Sequence, residues 1–118
     1  MDRLIELGQL FDYYGAFLTE RQRGLIDAYA NDNLSLGEIA EREGISRQGV
    51  RDGIVRAEQQ LRGMENVLGM VRKTLRLQSL LKQLCRLAEQ LPQDAPNRET
   101  LVHGIEEAYS ILEEDDGV

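Results

Sequence analysis

The sequence predicts an all-α protein, in which a helix-turn-helix is followed by a long helix and C-terminal helices. Three observations lead there. Apolar residues recur at steps of three and four along nearly the whole chain. Capping residues stand in front of these runs, and no segment alternates with the two-residue period of a strand. The composition, 42% hydrophobic and 30% charged with no Trp and prolines only at 92 and 96, fits one helical folded unit.

Leu4, Leu7, Leu10, Phe11, Tyr14 and Leu18 define a first helix over about residues 3–16. Thr19 and Gln22 form a capping box in front of a second, whose apolar face is Leu25, Ile26, Tyr29 and Ala30, with its end near the "NDN" of 31–33. Ser35 and Glu38 make another capping box, and the short helix behind it buries Leu36, Ile39 and Ala40 before Gly44 stops it. Ser46 caps the next helix. There Val50, Ile54, Ala57, Leu61, Met64, Leu68, Val71 and Leu75 alternate steps of four and three, the spacing of a heptad seam. Unbroken, residues 50–75 would extend about 39 Å, longer than a domain of this size covers, so a bend is expected at Gly63 or Gly69. Leu77, Leu80, Leu81, Leu84, Leu87, Ala88 and Leu91 form a further helix that ends at "PQDAPN". Asn97 is the expected cap of a last helix with Leu101, Ile105, Ala108, Tyr109 and Leu112 on one face, before an acidic, fraying "EEDDGV".

Composition excludes several classes of function. One cysteine, Cys85, and one histidine, His103, provide neither an internal disulfide nor a zinc-ligand cluster. Cys85 reads as a packing residue and His103 as a solvated one. With no phosphate-loop or dinucleotide fingerprint either, no enzyme, metal or cofactor is expected. Charge-free stretches fall well short of the roughly 18–20 apolar residues that cross a bilayer, and the amphipathic start is unlike a signal peptide. A cytoplasmic protein without a membrane partner is expected. The net charge is -7, unevenly spread. Residues 1–45 carry four basic and nine acidic side chains, 46–62 four and two, 63–91 five and two, and 92–118 one and eight. Only the middle of the chain is positive, as a phosphate backbone requires.

The positive stretch begins inside "SLGEIAEREGISRQGVRDGIVRAEQQLR", residues 35–62. A helix-turn-helix needs a small residue where its helices meet and a corner that accepts a positive φ, and Ala40 and Gly44 stand four apart as those demands require. Ser35 opens the first helix, Ile39 faces the domain below, and Ile45 and Val50 fill the angle between the helices. On the second helix Ser46, Arg47, Gln48, Arg51 and Arg56 are the candidate nucleic-acid contacts. Gly49 and Gly53 each cost about 1 kcal/mol of helix propensity relative to Ala and leave bare backbone where base-reading side chains would stand. Asp52 adds a negative charge that Arg56 can pair at i,i+4. Firm binders neutralise about six to ten phosphates, so this surface implies weak or dimer-dependent binding.

The segment "LFDYYGAFLTERQRGLIDAYANDNLSLGEIAEREGISRQGVRDGIVRAEQQL", residues 10–61, resembles the YlxM proteins in the order and spacing of "LFDYY", "LT.RQ", "SLGEIAE" and "SRQ.V.D.I.R.E", and the likeness continues more loosely to about residue 91. YlxM proteins are small bacterial helix-turn-helix proteins whose genes lie beside that of the signal recognition particle GTPase Ffh. Their helix-turn-helix is similar to region four of bacterial sigma factors. The resemblance implies a sigma-region-four-like helix-turn-helix and a regulatory role in the signal recognition particle pathway, with DNA or signal recognition RNA, and Ffh, as partners.

The expected organisation is a helix-turn-helix region over residues 1–62 and a C-terminal helical region over 63–118, in one folded unit. The second region either packs on the first or forms a homodimer, with Ile54, Leu61, Met64, Leu68, Val71 and Leu75 as the expected seam. A protein-interaction module that docks on Ffh or self-associates without reading nucleic acid is the alternative function.

Overall fold

The computed structural model describes residues 2–114, and among them every regular element is helical. Six α-helices follow in order: α1 (Arg3–Tyr14), α2 (Glu20–Ile26), α3 (Leu36–Glu43), α4 (Arg47–Leu68), α5 (Met70–Glu89) and α6 (Arg98–Glu113). A 3-10 turn, Gly15–Phe17, follows α1, and a π-helical turn, Asp27–Asn31, follows α2. The contacts divide the chain into two compact units, 1–71 and 72–118, a boundary later than the one read from the sequence at 62/63. The reason is visible at the end of α4: Met64 packs on the first unit's core, and Val71 is buried in it.

In the first unit α4 is the central element, contacted by α1, α2 and α3. Leu7, Leu10 and Tyr14 come from α1, Leu25 and Ile26 from α2, Ile39 and Ala40 from α3, and Val50, Ile54, Ala57 and Leu61 from α4. Each fully buried aliphatic side chain contributes about 1.5–3 kcal/mol of transfer free energy, so the three-four periodicity of α4 is spent inside this unit. The seam expected to run from Ile54 to Leu75 is therefore corrected. Ile54, Leu61 and Val71 are buried, Met64 is half-buried against them, and of the six only Leu68 and Leu75 are exposed.

Glycines decide two packing details. α4 runs straight through Gly63 and stops at Gly69, which takes the left-handed φ of +65° while its N–H donates to the Glu65 carbonyl at 2.8 Å. Gly53 lies where α4 meets α2: a Cβ there would stand 2.5 Å from Leu25 Cδ1. Half-buried against the core, Gly53 is a close-approach residue and not a missing base reader, which corrects the reading of bare recognition backbone at that position.

Ion pairing ties α1 to α4. Arg3 pairs with Glu58 and donates to the Tyr29 hydroxyl at 3.2 Å. Arg62 Nε donates to the other Glu58 oxygen at 2.8 Å, and the Arg62 guanidinium reaches Glu6 at 3.5 Å. Burial works to raise the Glu58 pKa, but the hydrogen bonds from Arg62 and Arg3 outweigh it and hold the carboxyl below its ordinary range.

The second unit pairs α5 with α6 in antiparallel fashion, as its contacts show. Lys82 Nζ lies 5.5 Å from the centre of the Tyr109 ring, while Arg98, at the start of α6, donates to the carbonyls of Leu91 (3.2 Å) and Glu89 (3.1 Å). Asn97 does not cap α6 with its side chain as expected; it turns the chain with a left-handed φ of +64°. Asp115–Val118, the end of the expected acidic tail, lie outside the described residues.

Candidate nucleic-acid interface

Local chemistry builds the corner. Ser35 Oγ accepts from the Glu38 N–H at 3.1 Å while Glu38 Oε1 accepts from the Ser35 N–H at 2.9 Å, which starts α3. At the other end Gly44 adopts φ +69°, and its N–H and that of Ile45 both point to the Ala40 carbonyl. Ile39 and Val50 are fully buried, Ala40 is buried, and Ile45 is half-buried on the same core. Ser46 then caps α4, its Oγ accepting from the Gly49 N–H at 3.0 Å. That hydroxyl keeps a proton to donate outward.

The first turns of α4 face solvent. Ser46, Arg47, Gln48, Arg51, Asp52 and Arg56 are all exposed. Helical geometry places Arg51 and Arg56 on opposite flanks of that face, about 140° apart around the axis. Between them Gln48 Nε2 donates to Asp52 Oδ1 at 2.9 Å, so Asp52 is engaged by Gln48 and not by Arg56, the partner expected from the sequence. The Arg47 guanidinium lies back on the first turn of α3, where a Cβ at Gly37 would be only 3.1 Å from its Nε and Nη2. Sequence reasoning missed this role of Gly37, since nothing local to either residue shows that they meet.

The contrast among arginines is informative. Arg3 and Arg62 are held in ion pairs with Glu58 and Glu6, whereas Arg51 and Arg56 have no ion-pair partner among the described residues. Residues with catalytic potential are placed differently. His103 is exposed on α6, and the half-buried Cys85 thiol donates to Glu89 at 3.4 Å. Burial, then the hydrogen bond to Glu89, push that thiol up, away from the thiolate a nucleophile needs. Among the described residues no group of three or more His, Cys, Asp or Glu side chains is arranged to hold a metal ion, and no helix is long and apolar enough to cross a membrane.

A capped helix, a left-handed glycine and a second helix with solvent-facing first turns define a helix-turn-helix protein. Residues 1–103 match the family described as "Putative helix-turn-helix protein, YlxM / p13 like", and the chain belongs to that family. Relatives include UPF0122 proteins of Acetivibrio thermocellus, 51% identical over 75 residues (64% of each chain), and of Desulforamulus reducens, 48% over 73 residues (62% of each). A third, from Caldanaerobacter subterraneus, is 41% identical over 88 residues, 75% of this chain and 73% of its own. The chain thus spans a little under two thirds of the length of the first two relatives.

Proposed function

We propose that this protein is a cytoplasmic, non-enzymatic regulator that binds nucleic acid through the start of α4, in keeping with the signal recognition particle role implied by its resemblance to YlxM proteins. One observation carries the reading: the arginines of the α4 N-terminal turns face solvent, while those at Arg3 and Arg62 are consumed by internal ion pairs. Arg51 and Arg56, on opposite flanks, would meet phosphates on the two walls of a groove, and Arg47 and the Ser46 hydroxyl would add contacts at the helix start. Gln48 and Asp52, between the flanks, would face base edges, a glutamine amide suiting adenine and a carboxylate suiting the cytosine amine. Three arginines are fewer than a firm binder uses, which favours a homodimer.

Duplex DNA and signal recognition RNA share the phosphate chemistry, and titration of the protein into each, labelled, at several salt concentrations separates them. Salt-sensitive binding to at least one that is lost in Arg47→Ala/Arg51→Ala supports the reading. Equal binding by the double variant overturns it. The other reading, docking on Ffh, is favoured by the exposed leucines of α5 and is checked by adding Ffh to the same titration.

A further inference from the structure

In the second unit the apolar stripe of α5 is wider than α6 covers. Leu81 and Cys85 of α5 face Ile105 and Tyr109 of α6 across a shallow cleft of about 250 Å³, and among the described residues of this unit only Ala88 is buried. The open flank of α5 carries Leu77, Leu80, Leu84 and Leu87, in steps of three, four and three, and Leu91 follows just past the helix end; each is between 41% and 57% exposed. On α6, Leu101 and Ile111 are similarly open. These half-exposed side chains make an apolar surface on the order of several hundred Å², the size that marks an association site. A two-helix hairpin of this length buries too little apolar surface to hold itself together.

We propose that this leucine face is the interface with a second copy of the chain, the two α5–α6 hairpins forming a four-helix bundle about a two-fold axis. Three features select this occupant. Alternating three-four spacing fits another helix lying nearly parallel or antiparallel, and a face that meets its own copy closes under two-fold symmetry. Charge is complementary between the hairpin's own helices. α5 carries Arg72, Lys73, Arg76, Lys82 and Arg86 against Glu89, and α6 carries Glu99, Glu106, Glu107 and Glu113 against Arg98. Packing α5 of each hairpin against α6 of the other therefore lays a basic helix beside an acidic one on both sides of the axis. Four such helices then enclose the core that two leave open. The inference names the partner and surface for the two-copy binding proposed above, yet rests only on the second unit.

Sedimentation of the full chain tests it. The wild type is expected at twice 13.4 kDa, with a melting temperature that rises with protein concentration, and Leu80→Glu/Leu84→Glu at the monomer mass. The double variant should raise the dissociation constant about a hundredfold or more. Val67→Glu, at a side chain 82% exposed on α4, should remain dimeric. A monomeric wild type, a dimeric leucine variant, or a Val67→Glu monomer each overturns the proposal. Arg47→Ala/Arg51→Ala should keep the dimer mass, so loss of nucleic-acid binding and loss of this interface are read separately.

Discussion

The Tyr14 hydroxyl donates to Glu65 Oε1 at 2.7 Å, and the two oxygens together receive the first free N–H groups of α5: Met70 N–H reaches Tyr14 Oη at 3.0 Å and Val71 N–H reaches Glu65 Oε1 at 3.0 Å. The N-terminus of α5 is thus capped by side chains from α1 and α4, not by its own preceding residue. Tyr14→Phe removes the acceptor of a part-buried N–H and should cost about 1–3 kcal/mol, read by urea unfolding followed by circular dichroism. A midpoint equal to that of wild type would remove the capping role.

The same pair makes the fold sensitive to alkali. Burial first, then the hydrogen bond to Glu65, raise the Tyr14 pKa above its ordinary 10.0. The folded state therefore favours the protonated phenol. Its contribution is fully present below pH 10.0 and is lost as pH rises from there through the folded value. Thermal melts of wild type and Tyr14→Phe across that window should converge as the pH rises.

Glu58 gives the opposite dependence. Its pKa is depressed in the folded protein, so its stabilising contribution is present above the ordinary carboxylate value of 4.5 and is lost as pH falls through the depressed one. Glu58→Gln should be less stable than wild type near neutrality, and the gap should narrow on acidification. A gap that is constant with pH would show that the Arg3 and Arg62 pairing contributes nothing through charge.

Two glycines of α4 should respond in opposite senses. A Cβ added at Gly63 would meet nothing within 4 Å, so Gly63→Ala should stabilise by about 1 kcal/mol through helix propensity alone. At Gly53 the new carbon meets the buried Leu25, and Gly53→Val should destabilise by about 1–3 kcal/mol. Chemical denaturation of the two variants side by side decides it, and equal effects would refute the close approach of α2 and α4.

At the candidate interface, Arg51→Ala and Arg56→Ala should each reduce the slope of log affinity against log salt by about 1 per copy bound, uniformly across sequences, if each arginine contacts one phosphate. Loss of sequence preference with an unchanged slope would place them on bases instead.

Much of the fold was legible because its determinants are local. The capping boxes at Thr19 and Ser35 and the left-handed corner at Gly44 satisfy backbone groups within a few residues and stand in the structure as the sequence implies. Less legible were contacts between distant residues: Gly37 with Arg47, Gly53 with Leu25, and Tyr14 with Glu65 carry no local signature. Of the candidate contacts on α4, exposure was readable from helical period, but the Gln48–Asp52 pairing was not, because two i,i+4 partners competed for Asp52.

The sequence by itself determined the helices, the corner and the placement of positive charge, since propensity, capping and charge reside in neighbouring residues. Tertiary structure alone decided what each apolar stripe covers. Val50, Ile54 and Ala57 share their four-three spacing with Leu80, Leu84 and Leu87, yet the first set is buried and the second stands open. Period shows that a helix has an apolar face. Whether that face becomes core depends on neighbours, and α1, α2 and α3 surround α4, whereas α6 covers only one side of α5.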